Sequence, residues 1–97
     1  MGVTLLRLPA VLIKRGCKRA HLYALMKVGL FPPPVKDGRA SSWPSNEVDA
    51  TNAAIIAGLP EDRVRQLVVQ LVASRKELAE QYSPRAHTAP SDARPAA

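Results

Sequence analysis

Three consecutive prolines, Pro32-Pro33-Pro34, constrain the fold of this 97-residue chain more than any other feature. Proline lacks a backbone N–H and has a fixed φ, so no helix runs through this segment and the chain takes an extended path there. What lies on either side must be built as separate elements. Upstream, Pro9 suits a first helical turn, and Ala10-Val11-Leu12-Ile13-Lys14-Arg15 ends at Gly16, a residue fitted to a left-handed helix terminus. A second helix is predicted from near Lys18 through Val28, stopped by Gly29. Two short helices joined by a Gly-containing turn form the helix-turn-helix arrangement, whose second helix can enter a major groove. Downstream, Val35-Lys36, Asp37-Gly38 and Arg39-Ala40-Ser41-Ser42-Trp43 read as strand, tight turn and strand, with Val35 and Trp43 as anchors.

At about 100° per residue, Leu22, Leu25, Met26 and Gly29 share one face of the second helix, with Lys18 at its margin. That is its core side. Opposite lie Ala20, Ala24 and Lys27, flanked by Tyr23 and more loosely by His21 and Val28. Small residues at the centre of such a face permit close approach to base edges. Arg19, Lys27 and the Tyr23 hydroxyl can reach phosphates or base acceptors.

Charge is segregated along the chain. Fourteen Lys and Arg against eight Asp and Glu give +6 and a pI near 10.1. Residues 1–44 hold Arg7, Lys14, Arg15, Lys18, Arg19, Lys27, Lys36 and Arg39 against Asp37 alone, while residues 45–81 carry an acidic excess. Attraction to phosphates requires charge concentrated within about one Debye length, ~8–10 Å, so this asymmetry favours a polyanionic partner more than the total does. Lys36 and Arg39 beside the hairpin turn make it a natural phosphate or minor-groove contact.

Pro44-Ser45-Asn46-Glu47 supplies helix-start chemistry, with Ser45 or Asn46 as the expected cap, and Val48, Ile55 and Ile56 give this third helix an apolar side up to Gly58. After Leu59-Pro60 a single amphipathic helix is predicted from Glu61 to Tyr82, with Arg75 interrupting its apolar stripe. That stripe either packs back on the small core or pairs with another copy; Val64, Leu67, Val68 and Leu71 are the residues that would make such a homodimer. From Ser83 onward, prolines amid Ala, Ser and Thr read as a disordered tail over 83–97.

Several classes are disfavoured. No run approaches the ~20 apolar residues of a membrane span, and Arg7 and Pro9 interrupt the N-terminal apolar stretch too early for a signal peptide, so the expected compartment is cytoplasmic. Cys17 is single, so it forms no intramolecular disulfide and at most half a metal site with His21. With no catalytic set, phosphate-binding loop or metal spacing, the expectation is a non-enzyme without cofactors. Few aromatics are present for stacking on single-stranded RNA.

Arg7-Leu8, Gly16, Arg19, Leu22-Tyr23, Leu25-Met26-Lys27, Gly29-Leu30-Phe31-Pro32-Pro33-Pro34-Val35-Lys36, and Trp43 ahead of Glu47-Val48-Asp49-Ala50 together resemble the AlpA family of prophage regulators. These are small, excisionase-like winged helix-turn-helix proteins related to the MerR DNA-binding head. The resemblance spans roughly residues 5–58, leaving 59–82 as a C-terminal amphipathic helix. It implies a mainly α fold with a two-stranded wing, and a transcriptional regulator of double-stranded DNA from a prophage or integrative element. By matched position Arg19, Tyr23, Lys27, Lys36 and Arg39 inherit the expectation of DNA contact, and Lys18, His21 and Ser41 complete the candidate set. Lys18 stands where the family usually has a capping Ser or Thr. An excisionase-like directionality factor uses the same head, and a protein-interaction adaptor working through the C-terminal helix is the reading from another class.

Overall fold

Gly16 ends the first helix in the left-handed conformation, at φ 76°, and its N–H donates back to the Leu12 carbonyl at 2.8 Å. A residue bearing a Cβ reaches this conformation only at a cost, so the turn depends on glycine. In the computed structural model, which describes residues 2–82, this turn joins α1 (Leu8–Arg15) to α2 (Arg19–Lys27). A strand β1 (Leu5–Arg7) precedes α1, and β2 (Val35–Asp37) and β3 (Ala40–Pro44) follow α2. Three more helices complete the described chain: α3 (Ser45–Ile56), α4 (Glu61–Ala73) and α5 (Arg75–Gln81).

The fold is a small winged helix-turn-helix, mainly helical as expected, but its sheet has three strands rather than two. Their order is β1-β3-β2, all antiparallel, with Leu6 opposite Trp43 and Val35 opposite Ser42. Thr4 and Ser45 fasten the added strand at its start: the Ser45 N–H donates to the Thr4 carbonyl at 2.7 Å, and the Thr4 N–H donates to Ser45 Oγ at 2.9 Å. Ser45 therefore does not cap α3 with its side chain as expected; its hydroxyl is used to hold β1. The Leu6–Trp43 pairing fixes the register of β3, and the hairpin loop falls at Gly38-Arg39, one residue later than the expected Asp37-Gly38. Gly38, at φ 66°, takes the first loop position, where two-residue hairpin turns require a positive φ that glycine reaches without strain.

Val11, Leu22, Phe31, Trp43 and Val48 form the core, flanked by Leu6, Leu8, Leu12, Cys17, Leu25 and Met26. Trp43 is fully buried and its indole N–H donates to the Pro32 carbonyl at 3.1 Å, so it holds the proline run and the wing together. Each such buried side chain contributes about 1.5–3 kcal/mol of hydrophobic stabilisation. The inward side of α3 is Glu47, Val48, Thr51 and Ala54. Ile55 and Ile56, expected on its apolar side, are exposed instead, Ile56 to 85%.

The expected single helix 61–82 is two. It breaks at Ser74, whose hydroxyl donates back to the Gln70 carbonyl at 2.9 Å. Serine that bonds the preceding turn in this way commonly bends a helix. Val64 and Val68 of α4 are buried within the chain, α4 packing on α3, while Leu67 and Leu71 are half-buried. The stripe packs back on the head, and Val64 and Val68 are not presented for pairing with a second copy. Among the described residues no helix is long and apolar enough to cross a membrane. The tail expected over 83–97 lies outside the described residues.

Candidate nucleic-acid interface

Every candidate contact residue except one is exposed. Lys18, Arg19, His21, Tyr23 and Lys27 stand out from α2 or its first turn, and Lys36 and Arg39 from the hairpin; Ser41 is half-buried. On α2 the exposed face is wide because Leu22 alone is fully buried, with Leu25 and Met26 half-buried beside it. Ala20 and Ala24 lie open at its centre, as the helical spacing requires. Arg19 lies over the Tyr23 ring, 5.6 Å from its centroid, one turn apart. That contact organises the guanidinium and leaves its charge without a counter-ion.

The wing presents its cations by register. Lys36 pairs with Ser41 across the hairpin, so by the alternation of strand side chains both share the face carrying Trp43 and Leu6. At its base this face packs on the core. Beyond the core it carries Lys36 and Ser41 toward the tip, where Arg39 occupies the turn itself.

Electrostatically the surface is uncompensated. Among the described residues Arg7, Lys18, Arg19, Lys27, Lys36 and Arg39 form no ion pair, whereas Lys14 is paired with Asp49 of α3 at 3.0 Å. Arg15, Arg63 and Lys76 are unpaired as well, and five of these nine cations belong to α2, its cap or the hairpin. The start of α2 adds to this, because Lys18 at the cap position makes no side-chain bond to the first-turn N–H groups. Those donors and the positive end of the helix dipole remain open to an anion. Lys18→Ser is accordingly expected to stabilise the free protein by about 1 kcal/mol, raising its thermal midpoint by roughly 4–8 °C in a melting curve.

Two arginines beyond the head reach back to these elements, and sequence reasoning assigned neither a role. Arg65 of α4 donates from Nε to the Val28 carbonyl at 2.8 Å, where α2 ends, and its stem lies over Gly29. Arg75 of α5 donates from Nε to Glu47 Oε2 at 2.8 Å, and from Nη2 to Glu47 Oε1 at 2.7 Å and to the Pro33 carbonyl at 2.8 Å. The Glu47 side chain is only 2% exposed and that of Arg75 24%. The available signal was the placement of a cation within an apolar stripe, which a buried carboxylate partner explains. Cys17 and His21 gather no further ligands: among the described residues no cluster of three His, Cys, Asp or Glu could hold a metal.

A glycine-turned helix pair followed by a β-hairpin, with unpaired cations on the second helix and the hairpin, defines a small winged helix-turn-helix protein. Residues 4–50 match the family described as prophage CP4-57 regulatory protein (AlpA), so the head of the chain is similar to that family. The match begins at Thr4, which fastens β1 to α3, and ends within α3. No curated protein and no solved structure matches the chain.

Proposed function

We propose that the chain is a sequence-specific, double-stranded DNA-binding transcriptional regulator of a prophage or integrative element, acting in the cytoplasm without catalysis or cofactor. In this reading α2 lies in the major groove and the β2–β3 hairpin is the wing. The observation that carries it is the set Lys18, Arg19, Lys27, Lys36 and Arg39: exposed, free of acidic partners, and confined to the two elements such a head uses on DNA. The similarity of residues 4–50 to a family of prophage regulatory proteins supports the biological setting. Control of excision would use the same surface, and an integrase gene beside the coding sequence would favour that variant. The burial of Val64 and Val68 weighs against an adaptor working through α4.

The test is electrophoretic mobility with a promoter fragment of the encoding element at graded salt. Each phosphate neutralised contributes about −0.9 to the slope of log affinity against log salt, so five cations predict a slope near −4 to −5. Lys18→Ser should bring the slope about 0.9 nearer zero even as it stabilises the free fold. Retardation that ignores salt, or none at all, would reject the proposal.

A further inference from the structure

We infer that Arg75 is a positioning residue for the wing: it ties the root of the β2–β3 hairpin to the helices that also hold the end of α2, so that the two DNA-facing elements keep a fixed relation. The inference rests on the function proposed above. A hairpin with strands of three and five residues is marginal unless something packs or ties it. β1 covers only the base of β3, from Ser42 to Pro44, and leaves Lys36 to Ser41 beyond it.

Arg75 supplies a tie on the remaining side. Its guanidinium bonds Pro33, two residues before β2, and Glu47, three residues after β3, and so closes the wing at both of its ends. The chemistry at each end suits an arginine. A proline run offers carbonyls without N–H donors; the Pro32 carbonyl is taken by Trp43 and that of Pro33 by Arg75. Both oxygens of the buried Glu47 carboxylate are met by one planar fork, an arrangement that an ammonium group cannot reproduce.

The frame behind Arg75 is itself anchored. Val64 and Val68 seat α4 against the head, and Arg65 grips the end of α2 at Val28. One pair of helices therefore holds the reading helix through Arg65 and the wing through Arg75. Both arginines lie outside the span 4–50 that the family match covers.

The experiment uses the full chain. The paired variant Glu47→Gln with Arg75→Met removes both charges together, leaving no unpaired buried carboxylate, and Arg75→Lys keeps the charge without the fork. Hydrogen exchange should accelerate about tenfold or more in β2 and β3 in both variants while α1 keeps its protection. Affinity for the promoter fragment should fall about tenfold in the paired variant, yet fall no further when Lys36 and Arg39 are already Ala, since coupled residues are not additive. Equal loss of protection in α1 and the hairpin would overturn the inference, because Arg75 would then merely stabilise the fold. So would an equal loss of affinity in both backgrounds. Selective opening of the hairpin in a chain that binds no DNA would reject the proposed function and leave the tie to the wing standing.

Discussion

Trp43→Ala is expected to remove a large share of the stability of this protein. The indole is fully buried among the four other core side chains, and its N–H satisfies the Pro32 carbonyl. Truncating such a residue costs about 3–5 kcal/mol, against a total of roughly 5–15 kcal/mol for a small domain. At about 4–8 °C per kcal/mol the thermal midpoint falls by some 12–40 °C. Trp43→Phe keeps most of the apolar volume and loses the hydrogen bond, so a loss of only about 1–2 kcal/mol is expected. Calorimetric melting of both variants provides the check. If Trp43→Ala melted with the unsubstituted chain, the core would not be the one described.

The largest functional effect is expected from reversing charge at one site on each DNA-facing element. Lys27→Glu with Arg39→Glu should lower affinity for the promoter fragment about 10²–10⁴-fold, on the basis of ~1–3 kcal/mol for each lost contact. Both side chains are exposed and neither forms an ion pair, so melting should change little. Titration by fluorescence anisotropy at fixed salt measures the loss. Undiminished affinity in this variant would remove α2 and the wing from the interface.

The helices and the hairpin were legible in the sequence because each is specified locally. Gly16, Gly29 and the proline run mark where elements stop, and the spacing of Leu22, Leu25 and Met26 orients α2 without knowledge of its neighbours. The features that escaped depend on residues far apart in the chain. β1 is three residues whose ladder partner lies near position 43, so nothing in Leu5-Leu6-Arg7 announces a strand. Ser45 satisfies the local pattern of a helix cap, yet its hydroxyl serves Thr4, 41 residues away. Ser74 breaks a helix that carries neither Gly nor Pro at that point. Arg75 appeared as a defect in an apolar stripe because its acidic partner stands 28 residues upstream. For the candidate site, helical periodicity fixed which α2 residues face outward. That Lys14 is neutralised by Asp49 while Lys18 and Lys27 are not could come only from tertiary geometry.

The nine residues of α2 bear on how a target could be chosen. At 1.5 Å per residue the helix is about 13–14 Å long, which matches roughly four steps of B-form DNA at ~3.4 Å each. A four-letter word recurs by chance about every 250 base pairs, far too often to mark a single address among a genome's competing sites. Selectivity on this scale resides in the spacing of several such words and in the bendability of the duplex between them, and a footprint longer than one helical turn would be its visible sign.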